Sequence, residues 1–180
     1  MKGARIPKER IGVLIGKGGE TKAYIEERAK VRLSIDAEGE VLIDDSKIED
    51  PLIQFKIVDI VRAIGRGFSP QHAYRLFDDD EYFELIDIDE YVGKKPDQLA
   101  RVRARVIGSG GKTRRLIENL TGVNISVYGD TVGIIGNSVQ MPIARTAVDM
   151  LLRGSEHSTV YSYLERNRRT LRIAEMGFEP

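Results

Sequence analysis

The 180-residue sequence predicts an α+β fold made of two copies of one small unit. Each copy should be a three-stranded antiparallel sheet covered by three helices, with a C-terminal helix after the second. Three observations predict it. Ile15-Gly16-Lys17-Gly18-Gly19-Glu20-Thr21-Lys22 recurs 92 residues later as Ile107-Gly108-Ser109-Gly110-Gly111-Lys112-Thr113-Arg114, and residues 15–35 and 107–127 are identical at 9 of 21 ungapped positions. That period is too long for a solenoid and suits a duplicated small domain. After each copy come two short alternating segments that read as strands, then a segment with apolar residues at helical spacing. Finally, 41% of the residues are hydrophobic, enough for two cores, and the absence of Cys rules out disulfides and thiolate metal sites.

In the first unit, Arg5, Ile6 and Pro7 form a short extended piece, because proline restrains the residue before it. Residues 8–15 read as a short helix stopped by Gly16. A second helix runs from Gly19 to about Ala29, with Ala23, Tyr24 and Ile25 facing inward. Residues 31–35 and 41–43 alternate like strands around a turn at Glu38 and Gly39. Asp50 and Pro51 are the cap and first residue of a long helix, with Ile53, Ile57, Ile60, Val61 and Ile64 on one face and Gly65 and Gly67 at its end. Ser69 and Pro70 start a short helix to about Phe77. The acidic run 78–81 then marks the boundary between units.

The second unit repeats this order. Residues 83–92 alternate as a strand, and Asp97 caps a helix with Leu99, Val102, Val106 and Ile107 that stops at Gly108. Helix 111–120, strand 123–128, a Gly129-Asp130 turn, strand 131–135 and helix 138–153 follow. The tail from Ser155 reads as a helix ending in Arg166, Arg168, Arg169 and Arg172. The expected division is 1–68 and 80–154 for the two units, 69–79 for a connecting segment and 155–180 for the tail.

The formal net charge is zero, but the charge is unevenly placed. Residues 1–35 hold 9 basic against 4 acidic side chains, residues 36–98 hold 7 against 17, and residues 99–180 hold 12 against 7. Each basic block contains one Gly-rich loop, the arrangement expected of a basic footprint for a polyanion. No apolar run reaches the roughly 18–20 residues of a membrane helix. The first five residues lack the apolar core of a secretory signal. A cytoplasmic location without a membrane partner is the expectation.

A Gly-x-x-Gly loop between two helices suits phosphate chemistry. Glycine accepts positive φ, so the chain can turn sharply, and its lack of a Cβ lets the backbone approach an oxygen closely. The following helix aims free N–H groups and its positive dipole end at that anion. The candidate binding residues are therefore Gly16, Lys17, Gly18, Gly19 and Lys22 in the first copy. In the second they are Gly108, Ser109, Gly110, Gly111, Lys112, Arg114 and Arg115. Neither loop has the Gly-x-x-x-x-Gly-Lys-Ser/Thr spacing of a nucleotide-triphosphate loop, and neither follows a central parallel strand as a dinucleotide site would. No cofactor is implied.

The pattern Ile-Gly-x-x-Gly-x-x-(apolar or basic)-x-x-Ile followed by a strand resembles the KH domain, and the element order matches its type I arrangement. KH domains clamp about four backbone nucleotides of a single strand with this loop. Both copies depart from the common pattern at the third residue after the loop, Lys22 or Arg114, where many KH domains have Ile. Residues 6–19, 63–70 and 157–161 further resemble archaeal tandem-KH proteins, which are similar to the eukaryotic Pno/Dim and Krr ribosome-assembly factors. That resemblance implies binding of single-stranded ribosomal RNA near the 3′ end of the small-subunit RNA, with assembly or translation-initiation proteins as partners.

Rival readings exist. The acidic residues 78–81 with Glu84, Asp87, Asp89 and Glu90 could serve a metal-dependent nuclease, although that requires carboxylates converging from separate elements. One copy could instead dock a protein. His72 and His157 read as structural. Tyr161 and Tyr163 can stack on bases or pack the tail helix, and the tail arginines can face solvent or RNA.

Overall fold

The computed structural model describes residues 2–177. The chain divides into two compact units, Met1–Asp79 and Asp80–Pro180. In the first, β1 (Lys2–Arg5) leads through Pro7 into a 3-10 turn and α1 (Ile11–Ile15). The loop residues Lys17–Gly19 and α2 (Glu20–Ala29) follow. After them come β2 (Arg32–Ile35), β3 (Glu40–Asp44) and α3 (Pro51–Gly65), then α4 (Pro70–Ala73), which tightens into a 3-10 turn, Tyr74–Phe77. The sheet order is β1-β3-β2, antiparallel throughout, with Ala4 opposite Val41 and Leu33 opposite Ile43.

Leu33, Val41 and Ile43 are buried, as their alternation requires, and so are Ile57, Ile60, Val61 and Ile64 of α3. Asp50 caps α3 by accepting a hydrogen bond from Leu52 N at 3.0 Å. Arg10 reaches the other end of that helix, donating to Ile64 O in its last turn and to Phe68 O just beyond it at 2.8 Å each. The α2 face differs from its sequence reading. Thr21, Ile25 and Ala29 are buried, whereas Ala23 and Tyr24 are exposed. Successive residues on a helix lie about 100° apart, so Ile25 in the core turns both of its predecessors outward.

The second unit contains β4 (Glu81–Asp87), α5 (Asp89–Val92), α6 (Pro96–Ile107), the loop residues Ser109–Gly111 and α7 (Lys112–Thr121). β5 (Asn124–Tyr128), β6 (Thr131–Asn137), α8 (Gln140–Leu152) and α9 (His157–Glu175) complete it. Its sheet order, β4-β6-β5, is the order of the first. The strand expected over 83–92 starts two residues earlier and ends at Asp87. Ile88 adopts a helical backbone, is buried, and donates its N–H to Asp130 O at 2.8 Å, so the chain leaves the ladder there. The cap of α6 is Lys95 and not Asp97, because Pro96 takes the first helical position and leaves Asp97 inside the first turn.

The repeat runs further than the sequence match. α3 and α8 end alike: Gly67 and Gly154 have φ of 98° and 97°. Phe68 N bonds Ala63 O at 3.1 Å and Ser155 N bonds Met150 O at 2.9 Å, the wrap-back that closes a helix on a left-handed residue. A further helix then starts in each unit, α4 or α9, and buries Ala73 or Val160. α9 adds Val160, Leu164 and Leu171 to the second core.

Candidate nucleic-acid interface

The two Gly-x-x-Gly loops have the same backbone. Gly16 and Gly108 sit at φ/ψ of 79°/169° and 77°/169°, Gly18 and Gly110 at 62°/19° and 58°/23°. Gly19 and Gly111, at 78°/13° and 80°/13°, cap the next helix in left-handed conformation. No side chain caps the N-terminus of α2 or α7. Each loop thus presents a helix N-terminus without a built-in acceptor, as an anion site requires.

The first and second glycines of each loop are there for different reasons. A Cβ on Gly16 would stand 2.7 Å from Thr21 N, and one on Gly108 2.6 Å from Thr113 N, so these two are needed for close packing. At Gly18 and Gly110 a Cβ would meet nothing within 4 Å, so the loop tip is open.

Lys17, Gly18, Ser109, Gly110, Lys112 and Arg115 are exposed at the tips. Arg115 folds back over its loop, Nη1 donating to Gly110 O at 2.7 Å. Lys22 and Arg114 are not free charges: Lys22 pairs with Glu26 at 3.5 Å and Arg114 with Glu118 at 3.1 Å. The same glutamates accept from the edge strand, Glu26 from Leu33 N and Glu118 from Ile125 N, both at 2.9 Å. Each basic residue is therefore held on the flank of its loop that faces the edge strand.

Four positions that hold the loops and their flanks in place escaped the sequence reading. Thr21 and Thr113 are the buried residues under the loops, and Glu26 and Glu118 are the clasps to the edge strands. All four are identities within the repeat, so the signal was present without a role attached. Thr113 Oγ1 lies 3.2 Å from the hydroxyl of Tyr161, which is thus committed to packing α9 on α7; Tyr163 packs against the second core. In the first unit Tyr74 of the following helix takes the matching place. Burial raises its pKa above the ordinary phenolic value, and a hydrogen bond from Thr21 works against that rise. His157 bonds Arg105 O through Nε2 at 3.0 Å.

The acidic segment does not converge. Asp79 pairs with Lys56, and Glu84 takes a two-pronged contact from Arg145 at 2.6 and 2.8 Å. Among the described residues no group of three or more acidic or His side chains could hold a metal ion, and no helix is long and apolar enough to cross a membrane. Of the tail arginines, Arg168 pairs with Glu165 at 3.6 Å, and Arg166, Arg169 and Arg172 are exposed.

Residues 82–169 match the family described as the eukaryotic-type KH domain (KH-domain type I), and residues 4–49 match the KH domain. A KH domain-containing protein of Methanocaldococcus jannaschii is 50% identical over 171 residues, covering 94% of this chain and 75% of that protein. The pre-rRNA-processing protein pno1 of Schizosaccharomyces pombe is 31% identical over 136 residues, 75% of this chain and 56% of that protein. Among solved structures, Dim2p of Pyrococcus horikoshii OT3 is 51% identical with a TM-score of 0.85, covering 92% of this chain and 98% of that one. A chain of the a/eIF2alpha–aDim2p–rRNA complex from P. horikoshii OT3 is 50% identical with a TM-score of 0.87, covering 94% of each. Shared fold, paired loops and identities of this order over nearly whole chains lead to one conclusion: this is a tandem KH-domain protein of the Dim2/pno1 family.

Proposed function

We propose that the chain binds single-stranded RNA through both loops and acts as a non-catalytic factor in cytoplasmic small-subunit ribosome assembly. Its target is ribosomal RNA near the 3′ end of the small-subunit RNA. The observation that supports this best is the pair of superposable loops, each an open tip of left-handed glycines on an uncapped helix N-terminus. Gly16, Lys17, Gly18 and Gly19 with Lys22, and Gly108, Ser109, Gly110 and Gly111 with Lys112, Arg114 and Arg115, are the contact residues. The P. horikoshii relative was solved with rRNA and a/eIF2alpha, which supports both ribosomal RNA and an initiation factor as partners. A nuclease role finds no support in the acidic segment, whose Asp79 and Glu84 are taken up by ion pairs.

The test follows from the open tips. Lys17→Asp with Gly18→Asp, or Ser109→Asp with Gly110→Asp, puts carboxylates where phosphates must sit, and Asp tolerates the left-handed region. RNA affinity should collapse while the melting temperature changes little. Unchanged affinity in both double variants would remove the loops from the reading.

A further inference from the structure

The second loop has a built flank that the first lacks. Between α6, the loop and α9 lies a cleft of about 550 Å³ whose charged walls are Arg101, Arg105 and Lys112, joined by the His157 imidazole and Tyr161. No carboxylate lines it. Among the described residues no acidic side chain pairs with Arg101, Arg105 or Lys112. Arg105 is held at the cleft wall: Nη2 donates to Ser155 O, and its own carbonyl accepts from His157. Its Nε is buried and has no partner. Such a donor has lost its water without gaining an acceptor, on a side chain that lines both this cleft and the neighbouring one beside Glu90.

The repeat supplies an internal control. At the aligned positions the first unit has Glu9, Val13 and Glu20 in place of Arg101, Arg105 and Lys112. The scaffold is common to both, with the glycine on its threonine and the tyrosine beside that threonine. In the first unit, however, Tyr24 stacks on Tyr74 with ring centroids 4.4 Å apart. Arg105 has a counterpart in Arg10, which donates to Phe68 O as Arg105 does to the matching Ser155 O. Packing does not call for Arg101 and Lys112 in the same way, and an anion does.

The cleft also lies off the flank already described. Arg101, Ala104, Arg105 and Gly108 follow each other at helical spacing on one face of α6, toward α9. Arg114, Glu118 and Ile125 N form the opposite flank, toward the edge strand β5.

We propose that this cleft holds a backbone phosphate of the bound RNA, so that the strand is gripped on both flanks of the second loop and on one flank of the first. The proposal rests on the RNA-binding reading above, and the experiment separates the two. The full chain with Arg101→Glu, which installs the first unit's residue at an exposed position, is titrated with RNAs of about four and about eight nucleotides, since one KH loop clamps about four. The longer RNA should lose about fivefold or more in affinity, with its salt slope shallower by about 0.7, the value for one phosphate on a single strand. The shorter RNA should be unaffected. Equal losses at both lengths, or none at either, overturn the cleft while leaving the loop intact. Ser109→Asp with Gly110→Asp should weaken both lengths to what the first loop alone holds, and if neither this variant nor Lys17→Asp with Gly18→Asp weakens either length, the RNA reading itself fails. Inorganic phosphate forms the last arm. Saturable shifts of the His157 ring signals, lost in Arg101→Glu, in a chain that does not bind RNA would assign the cleft to a free phosphate ester and overturn the proposal.

Discussion

Gly108 rests so closely on Thr113 that a Cβ would stand 2.6 Å from the threonine nitrogen and nearer still to its hydroxyl oxygen. The glycine's φ/ψ of 77°/169° lies in a region open essentially to glycine alone. The loop thus starts from a fixed anchor and ends in a free tip. Gly108→Ala should cost about 3 kcal/mol or more, adding backbone strain to overpacking. Gly110→Ala, with open space around it, should cost only about 1 kcal/mol. Amide exchange of α7 in the full chain measures both, and equal costs would mean the anchor is not there.

The anchor shows which parts of this molecule its sequence makes legible. Gly-x-x-Gly spacing is a local signal, and so are Asp50 before Pro51 and the alternation of residues 31–35. Each depends on neighbours within a turn or a strand. The partner of Thr113 is Tyr161, 48 residues away, and nothing local marks that pair. Tyr24 was misplaced for a related reason. An aromatic next to Ile25 suits the core by composition, but the helix turns it outward, where Tyr74 of a later helix meets it. The end of β4 depends on Ile88 N finding Asp130 O, again a tertiary contact. The basic cleft was invisible because α9 closes one wall of it.

Glu118 has two tasks that substitution can separate. One oxygen takes the Ile125 amide at 2.9 Å and the other holds Arg114 at 3.1 Å. Glu118→Gln keeps an acceptor for the strand and removes the charge that competes for the guanidinium. RNA affinity should rise modestly at unchanged stability. Glu118→Ala leaves the edge amide without an acceptor and should cost about 1–3 kcal/mol. Chemical denaturation and RNA titration of the two variants check this. Weaker RNA binding in Glu118→Gln at full stability would show that the carboxylate positions Arg114 and does not compete for it.

Tyr91 donates to Asp149 at 2.6 Å, and this hydrogen bond to a carboxylate, helped by burial, raises the phenol above its ordinary 10.0. The neutral phenol is the form the fold favours. Its contribution is therefore complete below pH 10.0 and is lost as pH climbs from there through the folded pKa, because the unfolded chain gives up its proton first. Unfolding followed across that window should show stability falling with pH in the wild type. Tyr91→Phe should be less stable at neutral pH by about 1 kcal/mol and flatter in that alkaline range. An unchanged slope would assign the alkaline loss to other tyrosines.

The two loops should act in concert, and unequally. Each KH unit grips about four nucleotides, so one alone holds RNA loosely, and a second contact on the same chain can add about 10²–10⁴ in avidity. The second copy has Lys112, Arg114 and Arg115 beside its loop, against Lys17 and Lys22 in the first. Three to five engaged charges would give a salt slope of roughly −2 to −3.5 for a single strand. Duplex RNA should bind far more weakly, because its bases cannot be splayed onto the groove. The full chain with either Asp-substituted loop should lose its advantage for longer RNAs, and blocking the second loop should weaken binding further and flatten the salt slope more. Titration of graded RNA lengths against both double variants at several salt concentrations decides this. If blocking the first loop changes nothing at any length, RNA is held by the second unit alone, and the first, with Glu9 and Glu20 beside its loop, becomes a surface for a protein partner.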